Sequence, residues 1–363
     1  MGNKQIEGED YGETFSLVAK MGTVRLFLDT ALKNGWMVHQ MDVHNAFLHG
    51  DLEEEVYMRL PPGYQLDDKN KVCKLKKSLY GLNQAPRCWF SKLASALLSY
   101  GFDQALGDYS LFTYEKGNTR IHILIYVNDL IIGGSCPKAT EEFKEYLSSC
   151  FKMKDLGALK YFLGIEVARN EWGIYLCQRK YALDIIAETG LLGSKPVEFL
   201  LEDHHTLAVS KSPLLSDPKS FRRLLGRLIY LGVTRPDLAY SVHVLAQFMK
   251  EPRQDHWDAA IRVVKYLKFD PGQGILLRSN TGFQLTGWCD ADWSRCKQSR
   301  RSVTGYFVQL GDSPVSWKAK KQKTVSRSSA ESEYGRFSSR VNMVEAHVGY
   351  FGSYAHSTNV CTL

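Results

Sequence analysis

Across residues 23–34 the apolar positions Val24, Phe27, Leu28, Ala31 and Leu32 recur at three and four, the spacing of one buried helix face. Gly35 stops that helix, and 36–43 reads as a strand bearing a lone acid, Asp42, at its end or in the turn after it. A second helix is predicted over 86–100. Proline suits its first turn, Trp89, Phe90, Leu93, Leu97 and Leu98 give it an apolar face, and Gly101 ends it. Asp108, Leu111 and Phe112 lead into a strand. The strongest pattern follows at 121–134, where two apolar, β-branched runs flank the polar pair Asn128 and Asp129. That arrangement predicts a hairpin with Asp129 at its tip.

Beyond the hairpin, 140–151 forms a helix with Phe143, Leu147 and Phe151 on one side, and 178–189 forms another. The stretch 190–217 is loop-rich. Three helical patterns follow in 218–268: Leu224, Leu225, Leu228 and Ile229, then 238–248, then 259–267. A Pro-Gly boundary at 270–274 precedes short strand patterns that run to a helix near Ser329. Helices alternating with strands on one layer imply an α+β first module, a helical segment, and a second α/β module.

A carboxylate displayed on a hairpin can hold a hard cation when a second carboxylate arrives from another strand, and Asp42 is the best candidate partner for Asp129. Three carboxylates holding two Mg²⁺ about 4 Å apart would make a phosphoryl-transfer site. The third acid is missing here.

Composition narrows the setting. With 363 residues, 44% of them apolar, there is material for two or three domains. No uncharged apolar run reaches roughly 18 residues, and the first residues are polar, so neither a membrane span nor a secretory signal is expected. Eight cysteines with scattered spacing read as reduced thiols of an intracellular protein, cytoplasmic or nuclear. A net charge of +7 permits nucleic-acid binding without identifying it. The acidic run 51–55 reads as a solvated face, Lys71, Lys74, Lys76 and Lys77 as a basic patch, and His204 and His205 as surface histidines. Arg222, Arg223, Arg227, Arg235, Arg253, Arg262, Lys265 and Lys268 punctuate the helices of 218–268. They fit a duplex backbone and a solvated surface equally well.

The ordered motifs resemble the reverse transcriptase and ribonuclease H region of plant Ty1/copia-type retrotransposon polyproteins. Tyr126, Val127, Asn128 and Asp129 stand where that family carries Tyr-Val-Asp-Asp, and the block 41–50 matches its Met-Asp-Val segment. Further matches are 56–58, 61–63, 72–82 with 84–87, 153–157, 161–167, and 226–231 with Thr234, Arg235, Pro236 and Asp237. The resemblance covers roughly residues 11 to 340.

It implies a reverse transcriptase palm with partial fingers over 1–180, a thumb-like or connection-like helical segment over 181–270, an incomplete ribonuclease H-like domain over 271–345, and a divergent tail over 346–363. The chain is expected to start inside the fingers, without the upstream basic strand and loop that grip a triphosphate. Asp42 and Asp129 are implied as catalytic metal ligands for Mg²⁺, or Mn²⁺, with Asn128 a substituted position and a backbone carbonyl near Val43 as a further ligand. Phe47 would crowd the ribose 2′ position, Tyr80 and Gly81 would border nucleotide and template, and Leu163 and Gly164 would lie in the hairpin that positions the primer end. Asp290 and Glu333 match the first two ribonuclease H metal ligands, with Asp292 and Glu331 as near alternatives.

The implied partners are an RNA or DNA template-primer duplex and deoxynucleoside triphosphates. An amide in place of one anionic ligand should reduce two-metal catalysis by about 100 to 1000-fold, so a weak or inactive RNA-directed DNA polymerase is expected. The alternative is a non-catalytic nucleic-acid-binding remnant of a retroelement. No aspartate or glutamate follows Glu345, so ribonuclease H cleavage is not expected.

Overall fold

The computed structural model describes residues 5–8, 11, 14, 19–61, 63–64, 71–201, 206–292 and 301–325, and the backbone of 358–362. The chain forms two compact units, one of residues 1–27 and 34–159, the other of 28–33 and 160–363.

The first unit takes in most of α1 (Met21–Lys33), then β1 (Met37–Val43), β2 (Asp51–Met58), β3 (Cys73–Lys77), α2 (Ala85–Tyr100), β4 (Asp103–Gln104), β5 (Leu111–Lys116), β6 (Thr119–Tyr126), β7 (Asp129–Gly134), α3 (Pro137–Cys150) and β8 (Met153–Ala158). Its main sheet has the order β4-β5-β6-β7-β1-β8, antiparallel throughout. The hydrophobic faces of α2 and α3 bury Trp89, Leu93, Leu97, Phe143 and Leu147 in one cluster with Ile121, Ile123, Ile125, Leu130 and Ile132 from the central hairpin. Alternate residues of β6 and β7 therefore point at these helices, while the residues between them are buried on the opposite face.

One of those opposite-face residues is His122, fully buried and stacked on Trp36 at 5.2 Å between ring centroids. Burial, with a small push from the Arg120 charge, lowers its imidazole to about 4 from an ordinary 6.5. The folded chain binds that proton less readily than the unfolded chain, so His122 contributes full stability above pH 6.5, lost as pH falls towards about 4. The loss should reach about 3 kcal/mol at about 1.4 kcal/mol per pH unit. Urea midpoints taken between these pH values should fall steeply for the native chain and less steeply for His122→Phe; equal slopes would contradict it.

The second unit contains β9 (Tyr161–Phe162), β10 (Ile165–Asn170), β11 (Gly173–Cys177), α4 (Arg179–Glu188), α5 (Pro218–Leu231), α6 (Ala239–Ala246), α7 (Gln254–Leu267), β12 (Gly274–Arg278), β13 (Leu285–Asp292), β14 (Val303–Leu310), β15 (Ser313–Lys321) and β16 (Thr358–Thr362). Helices α4 to α7 share a core of Ile185, Phe221, Leu225, Leu228, Leu245, Val263 and Leu267. One sheet runs β12-β11-β10-β9; a second runs β15-β14-β13-β16, with β16 parallel to β13 and the other pairs antiparallel.

Two expectations about organisation change. The first compact unit closes at Leu159, not near 180, because β10 and β11 pair with each other and not with the large sheet. The Pro-Gly turn at 270–274 is no domain boundary, since Gly274–Arg278 pairs along Gly173–Cys177 and completes the sheet of the helical segment. Within 346–363, the backbone of Thr358–Thr362 forms the fourth strand of the last sheet.

The cations of the helical segment are mostly spent inside the unit. Arg235 is 1% exposed and grips Asp237 with two nitrogens. Arg222 caps the carbonyls of Met249 and Lys250, Arg253 that of Ser212, Arg262 that of Phe199, and Lys268 that of Leu191, while Arg227 pairs with Glu188. Of these, Arg227 and Arg235 pair with carboxylates, while the others named donate to neutral carbonyls and keep their charge. Among the described residues the cysteines are free thiols, and no helix is long and apolar enough to cross a membrane. His204, His205 and Cys296 lie outside the described residues.

Candidate active site

Strand β1 lies between β7 and β8, and its register sets Asp42 directly opposite Asp129. Asp129 is also the first residue of β7, facing Tyr126 across the two-residue loop Val127-Asn128. The two predicted acids therefore meet because the hairpin tip and the end of β1 coincide.

The loop is tight. Val127 has φ 57° and Asn128 does not share the left-handed conformation, the pattern of a type II′ turn, which favours glycine at its first position. A β-branched residue there costs about 1–3 kcal/mol. Two contacts hold it in place: the Trp89 indole Nε1 donates to the Val127 carbonyl at 2.7 Å, and the Val43 amide donates to the Asn128 carbonyl at 3.0 Å. Val127→Gly should release part of the strain, raising stability by about 1 kcal/mol after the glycine entropy cost. A lower denaturation midpoint in that variant would show that the turn is unstrained.

Asn128 decides the electrostatics. Its Nδ2 donates to Asp42 Oδ1 at 2.6 Å, while Gln40 Nε2 donates to Asp129 Oδ1 at 3.2 Å. The opposite amide orientation of Asn128 would set oxygen against oxygen, so the hydrogen bond fixes which end faces Asp42. Each carboxylate thus meets a neutral donor. Burial pushes the Asp129 carboxyl above its usual range; the Gln40 hydrogen bond opposes this, and the Asp42 charge adds to it.

Beside this pair, β1 runs into a short helical turn, Ala46–His49, that carries Phe47. The Phe47 ring lies 4.8 Å from Tyr80, whose side chain is exposed, and the Ser78 hydroxyl donates to the Phe47 carbonyl. Gly81 follows with φ 91°, a conformation that a side chain would strain. Sequence-predicted Phe47, Tyr80 and Gly81 are therefore brought to one place. Strands β2 and β3 are paired beside them, and the acidic run is solvated as expected, with Asp51, Glu53 and Glu55 exposed; Glu55 pairs with Lys74, Glu54 with Arg87 and Asp51 with Lys92. The basic patch is correspondingly part-neutralised.

A family model described as reverse transcriptase (RNA-dependent DNA polymerase) matches residues 1–202, more than half of the chain. The chain belongs to that reverse transcriptase family. It is 43% identical over 334 residues to the Retrovirus-related Pol polyprotein from transposon RE1 of Arabidopsis thaliana, covering 92% of this chain and 23% of that protein. It is 36% identical over 344 residues to the corresponding polyprotein from transposon TNT 1-94 of Nicotiana tabacum, covering 92% and 26% respectively. It also matches the putative transposon Ty5-1 protein YCL074W of Saccharomyces cerevisiae at 32% over 299 residues, 97% of that protein. The chain spans about a quarter of the length of the two plant relatives, and it carries the reverse transcriptase domain of a plant Ty1/copia-type retrotransposon Pol polyprotein.

Two residues around the Asp42–Asp129 pair escape sequence reasoning. Gln40 carries a usable signal, since it lies two positions before Asp42 on a strand and so shares its face. Trp89 carries none, because only the packing of α2 against the sheet brings its indole to the turn. Among the described residues no group of three or more histidine, cysteine, aspartate or glutamate side chains gathers as a metal cluster. Asp42 and Asp129, opposite each other in register, are the two carboxylates that could hold a hard cation here.

The remaining predicted residues lie in the second unit. Leu163 and Gly164 form the two-residue turn between β9 and β10, with φ 50° and 71°, and the Tyr230 hydroxyl donates to the Leu163 carbonyl. Left-handed conformations at both positions mark a type I′ turn. Asp290 is exposed on β13 opposite Gly305, and Asp292 ends that strand. Glu331 and Glu333 lie outside the described residues.

Proposed function

We propose that the first unit is a reverse transcriptase palm that retains its nucleic-acid-binding role and has little polymerase activity, because Asn128 holds Asp42 in a neutral hydrogen bond. The observation that carries this reading is the 2.6 Å contact from Asn128 Nδ2 to Asp42 Oδ1, at the register position where β1 and β7 oppose two carboxylates. The second unit supplies the thumb-like helices and, in β13 to β16, a ribonuclease H-like sheet. Its strand order with β16 parallel supports that reading.

Asp42 and Asp129 would hold Mg²⁺ or Mn²⁺, which when bound supplies Lewis-acid stabilisation to a transferring phosphoryl group. The chain's own residues do the positioning. Gln40 orients the Asp129 carboxylate, Trp89 and Val43 fix the turn that carries it, and the Phe47 ring, braced by Tyr80, borders the sugar of an incoming deoxynucleotide. Asn128 contributes no negative charge, and its donor occupies an oxygen of Asp42 that a cation would need.

The partners are an RNA or DNA template-primer and deoxynucleoside triphosphates, and a soluble, intracellular setting fits them. Primer extension on an RNA template with Mg²⁺ or Mn²⁺ tests the reading, beside salt-dependent duplex binding. Duplex binding should survive, with extension near background. Robust extension by the native chain that disappears in Asp42→Ala would overturn the low-activity assignment. Gln40→Leu, made on Asn128→Asp, should reduce Mn²⁺ affinity several-fold, read by the spectrum of the bound ion; unchanged affinity would remove Gln40 from this role.

A further inference from the structure

A cavity of about 290 Å³ opens in the second unit between the start of α6 and the face of the last sheet. Its shape follows from the sequence of three paired strands. Trp288, Phe307 and Trp317 are cross-strand partners and form a row of rings, with centroids 5.9 Å and 6.4 Å apart. One step along the same face the partners are Asp290, Gly305 and Ala319. Small residues there leave a hollow beside the rings, and a Cβ built on Gly305 would meet nothing nearer than the Asp290 carbonyl at 4.0 Å. Tyr240 and Asp237 form the facing wall. The Trp317 indole is fixed by its hydrogen bond to the Gly232 carbonyl at 3.0 Å, so the row is preorganised.

The chemistry of the walls is specific. Rings offer a stacking surface and the Asp290 carboxylate offers acceptors only, while Asp237 is already held by Arg235 and Lys318, the partner of Tyr306, belongs to the other face of the sheet. A flat ring bearing amino hydrogens satisfies both features. The volume, near the lower end of ligand pockets at about 300 Å³, suits one base and not a stacked pair.

We infer that this cavity is a binding site for a single unpaired, amino-bearing nucleobase, with the ring beside the Trp288–Trp317 row and its amino group donated to Asp290. The ligand is shared chemistry of a free nucleotide and of an unpaired base in a strand. Guanine, adenine and cytosine carry the amino donor; uracil and thymine do not, and present carbonyl oxygens that a carboxylate repels. The site is separate from the Asp42–Asp129 pair and does not depend on polymerase activity.

The test uses the full chain, with tryptophan fluorescence titrated by GMP, CMP and UMP, and by short oligo(dC) and oligo(dT). GMP and CMP should bind at least about tenfold more tightly than UMP. Gly305→Val fills the hollow with little steric conflict and should abolish that preference, while Asp42→Ala should leave it intact. Asp290→Ala should narrow it, and serves as the deciding variant if circular dichroism shows Gly305→Val to be unfolded. Oligo(dC) binding more tightly than CMP assigns the site to strands; equal affinity assigns it to free nucleotides. Equal binding of CMP and UMP, or a preference that persists in both Gly305→Val and Asp290→Ala, overturns the proposal.

Discussion

Asn128→Asp is expected to raise primer extension with Mg²⁺ by about 100-fold or more over the native chain, since one preorganised electrostatic contact is typically worth about 100 to 1000-fold. The same change should destabilise the cation-free protein. Asp42 and Asp129 already face each other across β1 and β7, and burial holds the Asp129 carboxyl above its usual range. A third carboxylate in place of the Asn128 donor would turn a 2.6 Å hydrogen bond into a repulsive contact. Thermal unfolding in chelator should therefore show a lower midpoint for Asn128→Asp than for the native chain, and Mg²⁺ should recover it. The two readouts separate the possibilities. Recovery by Mg²⁺ without extension would mean that the site binds cation but that substrate is not positioned. An unchanged midpoint in chelator would show that Asn128 does not touch Asp42.

Trp89→Ala should be among the most destabilising single changes in the first unit, at about 3–5 kcal/mol, because it removes a ring that is 1% exposed from the centre of the sheet–helix core. It also removes the donor that holds the Val127 carbonyl. Trp89→Phe separates these effects. It keeps most of the apolar volume and should cost about 1–3 kcal/mol, the range for leaving a buried acceptor unpaired. Denaturant midpoints give both values. If Trp89→Phe is neutral, the strained turn is held by the Val43 amide alone, and Trp89 matters only as core.

The two changes act on one small structure by different routes. Asn128 sets the charge of the site, and Trp89 sets the backbone that presents it. Family membership follows from the ordered motifs and is independent of either.

Sequence patterns specify what is local. The helix over 85–100 and its stop at Gly101, the strand ending in Asp42, and the hairpin tip at Asn128 and Asp129 are legible because helical spacing, a left-handed glycine and a polar pair between β-branched runs are short-range signals. Pairing partners are different. Gly274–Arg278 reads as the start of a new module until its partner Gly173–Cys177 is known, and Thr358–Thr362 reads as a tail until β13 takes it as a neighbour. A strand's partner is chosen by long-range burial, which composition does not encode. The cations of 218–268 carry the same lesson, because their helical spacing could not show that Arg235 and Arg253 are used inside the unit.

The family, the candidate acids Asp42 and Asp129 and the residue at Asn128 are legible in the chain alone, since these are properties of residue type and order. That Asn128 turns its amide donor onto Asp42, that Gln40 and Trp89 support the pair, and that Gly305 leaves a hollow beside a row of rings emerges with the folded chain. The physical reason is that hydrogen bonds and cavities depend on which side chains from distant segments share a few ångströms. That is settled by register and packing.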